Sequence, residues 1–78
     1  MKPLTFSPPA LREARLRRAF TPEDLVVALR KKGVPLTTRT LHSWESGKTT
    51  PKANALSVLA TVLGITMVDL FTHHKEGR

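Results

Sequence analysis

The sequence predicts an all-α domain, a compact bundle of five helices, and three observations support this expectation. The six prolines and four glycines fall between or beyond the segments of helical apolar periodicity, which is where helices begin and end. No segment alternates apolar and polar residues between hairpin turns, so no sheet is expected. The length of 78 residues suits one domain, 1–78, with an ordered core from about 8 to 71 and flexible ends at 1–6 and 72–78.

The first two helices have clear start and stop signals. Ser7-Pro8-Pro9 supplies a capping hydroxyl and a proline in the first turn, and this helix is expected to run to about Arg18. Thr21-Pro22-Glu23-Asp24 combines a capping Thr with an acid three residues later, which is typical of a capping box. Arg30-Lys31-Lys32-Gly33 ends the second helix with cations at the negative end of the dipole and a glycine for the left-handed cap.

The third helix is expected over about 37–46, from a capping Thr37 to the terminating Gly47. Its apolar residues Leu41 and Trp44 lie three apart on one face. Trp44 can pack into the core or stack on a nucleic-acid base, and its register with Leu41 favours the core.

Two further helices are expected in the second half of the chain. Thr50-Pro51 is expected to open a fourth helix that ends at Gly64 and has the apolar spacing of one buried face. Thr66 and Asp69 form another capping pair, which predicts a short fifth helix through Met67 to Phe71. At the other end, Thr5 and Phe6 either form a DNA-reaching arm or pack on the bundle.

The net charge of the chain indicates which classes of partner to expect. Lys and Arg number 13 against 6 Asp and Glu, which gives a formal net charge of +7. Such a basic chain favours a polyanionic partner, either nucleic acid or an anionic membrane surface. Attachment to lipid needs a helix with a basic face opposite a broad apolar face, and the nearest candidate, Arg12 to Arg18, fits poorly because of Glu13 and several Ala.

The sequence also argues against a membrane span, enzyme activity, a cofactor and a metal site. The chain lacks cysteine and has no apolar run of membrane-spanning length, so we expect a cytoplasmic, nucleoid-associated protein. No facing pair of acids, Ser/His/acid arrangement or Gly-rich loop is present, so neither enzyme activity nor a cofactor is expected. His42, His73 and His74 do not have the spacing of metal ligands, so no metal site is expected.

The outward face of the third helix is the candidate site. With its two apolar residues facing the core, helical geometry places five polar residues on the opposite side: Thr38, Arg39, His42, Ser43 and Ser46. All five can form hydrogen bonds and none is a carboxylate, which suits a helix that enters the major groove. Arg39 matches guanine, and Thr38 or Ser43 matches a base edge or a thymine methyl group. An ordinary solvated helix face is the alternative, and the surrounding charge favours the groove.

Positively charged residues lie before, within and after this helix in the sequence. From residue 30 to residue 52, Glu45 alone opposes a set of cations: Arg30, Lys31, Lys32, Arg39, Lys48 and Lys52. Helix N-termini expected near Thr37 and Thr50 add backbone amides and partial positive charge. The arrangement suits the phosphates that flank a groove, with Thr37 and Lys52 among the expected contacts.

Several spaced motifs resemble one family. Leu25 and Leu29, the turn at Gly33, and Thr40-Leu41-His42-Ser43-Trp44-Glu45-Ser46-Gly47-Lys48 look like the phage repressor and Cro type of helix-turn-helix, the XRE family. Its closing motif Leu-Gly-Val-Ser-x-x-x-Leu is similar to Leu63-Gly64-Ile65-Thr66-Met67-Val68-Asp69-Leu70. The resemblance covers about Leu11 to Phe71. It implies a lambda-repressor-like fold and a sequence-specific DNA-binding transcriptional regulator that acts as a repressor.

The resemblance also implies roles for single residues. The base-contacting positions of the family correspond to Thr38, Arg39 and Ser43, with His42 beside them, and its phosphate-contacting positions correspond to Ser46, Lys48 and Thr50. An Arg of the first helix often pairs with the Glu of the Trp-Glu-x-Gly motif, which implies an ion pair between Arg15 and Glu45. Glu45 is also the sole acid near the expected DNA face, so its neutralisation has an independent electrostatic reason.

Two features depart from the family pattern. Pro22 stands where the family usually has a Gln that touches the DNA backbone, so that contact is not expected. The stretch from Leu29 to Thr37 is longer than the turn of the family, which predicts an extra turn of the second helix and a wider connection.

The apolar residues near the last helix exceed what a short helical core buries. Val58, Val62, Met67 and Phe71 form either an exposed patch or a slightly apolar surface. A self-complementary patch would join two copies in a homodimer with reading helices about 34 Å apart. The alternative function is a protein-interaction module, such as an antitoxin or a partner-binding regulator whose last helix docks another protein. No small-molecule ligand is expected.

Overall fold

The computed structural model describes residues 4–73, most of which are helical. Four helices follow one another: α1 (Pro8–Arg17), α2 (Pro22–Lys31), α3 (Thr38–Ser46) and α4 (Ala53–Leu63). A 3₁₀ turn (Met67–Leu70) comes after α4, and two short strands, β1 (Leu4–Phe6) and β2 (Phe71–His73), lie at the ends of the described range. The expectation of a small, mainly helical domain is confirmed, with four α-helices among residues 4–73 in place of the five expected.

Side-chain caps start the first three helices where the sequence places them. The Ser7 and Thr37 hydroxyl oxygens each accept a hydrogen bond from the backbone N–H three residues later, at 3.2 Å in both cases. Thr21 and Asp24 form the capping box, in which each side chain accepts from the backbone N–H of the other at 3.0 Å. Because a cap replaces bonds that the first turn of a helix lacks, these helix starts are fixed by local sequence.

The four described helices end in one shared hydrogen-bond motif. In each, a backbone N–H just past the helix donates to the carbonyl five residues earlier, and the residue before that donor has a positive φ. Gly33, Gly47 and Gly64 occupy this position in α2, α3 and α4, whereas Ala19 occupies it in α1 with φ of +58°. Glycine adopts this conformation without strain. Alanine does not, because in a left-handed residue the Cβ crowds the carbonyl oxygen that follows it.

Two predicted helix boundaries are wrong. The fourth helix begins at Ala53, because Pro51 is buried against the bundle and Lys52 takes the N-cap position without a capping side chain. The fifth helix is only the 3₁₀ turn, in which the Asp69 carboxylate accepts from the Thr66 backbone N–H at 3.1 Å. Leu70 is completely buried at its end, and the chain then continues as a strand.

The prediction that the chain contains no sheet is also wrong. β1 and β2 pair as antiparallel strands, with Leu4 opposite His73 and Phe6 opposite Phe71. The two phenylalanine rings meet edge to face, with centroids 6.5 Å apart, and Phe6 is part of the buried core rather than an arm. Residues 4–6 and 72–73, which were expected to belong to flexible ends, lie in these strands. Residues 1–3 and 74–78, including His74, fall outside the described part of the chain.

The core is built from leucines contributed by every helix. The completely buried side chains are Leu11, Leu25, Leu29, Leu41, Leu59 and Leu70. α3 packs against both α1 and α2, and α4 packs against α2 and the 3₁₀ turn. α2 ends only two residues beyond Leu29, so the expected extra turn is not formed and the added length lies in the connection 32–37. No helix among the described residues has the length and apolar character needed to cross a membrane.

Candidate nucleic-acid interface

α3 is held from its inner side by two large apolar residues. Leu41 is completely buried and Trp44 is 7% exposed, so the indole belongs to the core. The Thr37 cap and the left-handed Gly47 fix the two ends of the helix. An α-helix repeats every 3.6 residues, so burial of the face that carries Leu41 and Trp44 leaves the opposite face of α3 toward solvent.

The opposite side presents the residues that the sequence assigns to base contacts. Arg39 and His42 are exposed, and Thr38 and Ser43 are partly exposed. Within residues 4–73, none of these four side chains forms a hydrogen bond or ion pair with the protein. We call these four residues, Thr38, Arg39, His42 and Ser43, the reading stripe. Their polar groups are available to an external partner.

Glu45, the one acid of α3, is neutralised inside the protein. Its carboxylate accepts from Arg15 Nε at 2.7 Å and from Arg15 Nη2 at 3.1 Å, and the two side chains are only 8% and 9% exposed. Arg15 Nη1 also donates to the Phe20 carbonyl oxygen at 2.8 Å, at the turn between α1 and α2. This is the ion pair that the resemblance implies. It joins α1 to α3 and removes a negative charge from the candidate face.

The residues that the sequence assigns to phosphate contacts lie at the two ends of α3 and in the segment after it. All of them are exposed: Thr37, Ser46, Lys48, Thr50 and Lys52. The Lys48 backbone N–H donates to the Ser43 carbonyl at 2.9 Å, which places Lys48 directly after the helix. Ser46 Oγ donates to that same carbonyl at 3.2 Å, so its hydroxyl is partly used within α3. A hydroxyl therefore borders the reading stripe at the start of α3, and both hydroxyls and cations border it at the end.

Two clefts flank α3 on the side of the α2–α3 connection. The larger, of about 460 Å³, is lined by Trp44 and Thr40 of α3, by the connection and by Lys52 near the start of α4. The smaller, of about 340 Å³, is lined by Arg30, Pro35, Leu36, Thr37 and Thr40. The two clefts share Pro35 and Thr40. The sequence analysis names Arg30 only as one of several cations and assigns no contact to Thr40, because the position of both residues beside one cleft depends on the path of the connection.

The predicted apolar patch is only partly present. Val58, Val62 and Phe71 are partly buried against the core, since α4 and β2 turn them inward. Met67 is 39% exposed, and its neighbour Val68, which the prediction omitted, is 61% exposed. The exposed apolar surface at this end of the described chain is therefore centred on the 3₁₀ turn.

No protein-family model, no curated protein and no solved structure matches the chain.

Proposed function

We propose that the chain is a sequence-specific DNA-binding transcriptional regulator, acting as a repressor, and that α3 reads the major groove. The observation that carries the proposal is the reading stripe, which is exposed or partly exposed, contains no acid, and lies opposite buried Leu41 and Trp44. A helix fits the major groove of B-DNA, where every base pair presents a distinct pattern of donors and acceptors. The likeness of the Trp44–Gly47 motif to helix-turn-helix repressors supports the same function.

Each residue of the stripe has a chemical role in this proposal. Arg39 donates two parallel hydrogen bonds to O6 and N7 of a guanine, which is the pairing that arginine geometry favours. Thr38 and Ser43 have hydroxyls for base edges, and the Thr38 methyl group can contact a thymine methyl group. His42 lies one turn from Thr38 and contacts a neighbouring base.

Phosphate contacts supply most of the affinity and fix the position of α3. Thr37 contacts the backbone at the start of the helix, and Ser46, Lys48, Thr50 and Lys52 contact it after the helix. From residue 32 to residue 52 the only acid is Glu45, and Arg15 already neutralises it, so this face attracts phosphate without internal repulsion. Affinity is expected to fall with salt at a log–log slope of about −0.9 for each phosphate contacted.

Selection of bound fragments from genomic DNA, followed by sequencing, tests function and site together. A common sequence element among the fragments is expected. On that element, Arg39→Ala weakens binding by about 1–3 kcal/mol and leaves random duplex nearly unaffected. Lys48→Ala, the matched control, weakens cognate and random duplex by the same factor. An equal loss on every sequence for Arg39→Ala would contradict base reading and make Arg39 a phosphate contact.

A titration with random duplex at about 50 mM salt separates this proposal from the protein-interaction module. A DNA-binding protein with this charge binds random duplex and releases it as salt is raised. A module that docks only another protein shows no salt-linked binding. Such a result would reject the DNA function and favour an antitoxin or partner-binding regulator.

The proposal includes a homodimer on DNA, formed through the apolar surface around Met67 and Val68. A two-fold dimer places two reading helices about 34 Å apart, so that they meet successive major grooves. Equilibrium sedimentation of the complex with a cognate duplex measures the stoichiometry. Two chains per duplex are expected, and a single chain at saturation would remove the dimer from the proposal.

A further inference from the structure

The connection between α2 and α3 is anchored to the core while its middle stays at the surface. Val34 and Leu36 are buried, and Pro35 between them is exposed. α2 ends at Lys31, and the left-handed Gly33 then turns the chain back toward α3. Because both anchors are buried, the path of the connection is fixed rather than free to collapse onto α2.

That path places one α2 cation beside α3. Arg30, in the last turn of α2, lines the 340 Å³ cleft together with Thr37 and Thr40, whereas Lys31 and Lys32 do not line it. The neighbouring cleft, beyond Pro35 and Thr40, has Lys52 in the corresponding role. Each cleft therefore combines one cation with threonine side chains, next to the helix that carries the reading stripe.

Phosphate is the chemistry that this cleft fits. A guanidinium forms bidentate hydrogen bonds with phosphate oxygens, and threonine hydroxyls are common additional donors to the DNA backbone. No acidic side chain lines the cleft to compete for Arg30. Since phosphate contacts set the register of a protein on its duplex, a contact here would define how α3 enters the groove.

We propose that the Arg30 cleft holds a phosphate of the DNA strand that borders α3 on its α2 side, and that Arg30 is a positioning residue for the reading helix. The inference rests on the proposed DNA-binding function and adds a contact that comes from the long connection of this chain. Arg30 does not touch bases, so it contributes equally to every sequence that the protein binds.

The test compares Arg30→Gln with Lys31→Gln. The two variants lose the same charge from adjacent exposed positions of one helix, but only Arg30 lines the cleft. Arg30→Gln is expected to weaken cognate and random duplex by one common factor and to lower the salt slope by about 0.9. When salt is raised from 50 to 200 mM, the affinities of both proteins fall, and the factor by which the affinity of the variant falls is about 3.5 times smaller than that of the parent protein. Lys31→Gln is expected to leave the slope unchanged. Equal slopes for the two variants would overturn the inference.

Neutral methylphosphonate groups, placed one at a time along the cognate duplex, locate the contact. At one phosphate, neutralisation is expected to weaken the parent protein and to leave Arg30→Gln unaffected. If neutralisation of each phosphate weakens the binding of both proteins by the same factor, Arg30 holds none of these phosphates. The inference then fails while the proposed function stands. If the parent protein binds no duplex at all, the proposed function fails and the inference fails with it.

Discussion

Replacing Arg15 by methionine removes the guanidinium from the Glu45 carboxylate and leaves a shorter, apolar side chain. Arg15 donates two hydrogen bonds to Glu45, at 2.7 and 3.1 Å, and one to the Phe20 carbonyl at 2.8 Å. With both side chains less than a tenth exposed, water has little access to the carboxylate that remains. Removing one partner of such a pair costs about 3–5 kcal/mol.

Urea denaturation followed by helical circular dichroism measures this loss. A domain of this length has a free energy of unfolding of about 4–12 kcal/mol, so Arg15→Met is expected to lose a large part of it. The double variant Arg15→Met/Glu45→Met replaces the ion pair by an apolar pair and is expected to be more stable than Arg15→Met alone. Comparison of the single and double variants gives the coupling between the two positions.

Arg17→Met is the matched control, because Arg17 also pairs with an acid of the protein but at the surface. Its Nη2 lies 3.7 Å from the Glu13 carboxylate, and the two side chains are 71% and 67% exposed. A pair of this kind, four residues apart on a helix, contributes at most about 0.5 kcal/mol. A loss below about 1 kcal/mol for Arg15→Met, or a double variant no more stable than the single one, would refute the reasoning.

Three further predictions concern the fold. Ala19→Gly is expected to stabilise the protein by about 1 kcal/mol, because it relieves the positive φ at the end of α1, and an unchanged urea midpoint would contradict this. Gly33→Ala is expected to cost about 1 kcal/mol through the backbone alone, since nothing lies within 4 Å of an added Cβ, and thermal unfolding measures the loss. Phe6→Ala is expected to cost about 3 kcal/mol by removing a buried ring, and a loss below 1 kcal/mol would show that β1 contributes little.

The parts of the fold that the sequence predicts well are those decided within a few residues. The starts of α1, α2 and α3 follow from Ser7, Thr21 and Thr37, because each cap bonds only to the first turn of its own helix. The inward face of α3 follows from the three-residue spacing of Leu41 and Trp44. The reading stripe follows in turn, because a helix with one buried face has little freedom in what it exposes.

The parts that were missed depend on contacts between distant segments. Strands of three residues are too short to show an alternating pattern, and β1 and β2 pair only because the bundle brings the two ends of the described range together. The start of α4 shifted because the bundle buries Pro51, which no local capping signal records. Arg30 was recognised as a cation, but its place beside α3 depends on the anchors Val34 and Leu36.

The structure separates the residues that hold α3 in place from those assigned to DNA. Leu41, Trp44 and the Arg15–Glu45 pair bind α3 to the rest of the protein, whereas Arg39 has no partner among residues 4–73. Exposed side chains without partners contribute within about 0.5 kcal/mol to folding stability. A change in DNA affinity for Arg39→Ala therefore reports a lost contact with DNA rather than a loss of fold. For Arg15→Met the reverse holds, since any change in affinity follows from the position of α3. The two variants therefore distinguish the proposed contact with DNA from structural support of α3.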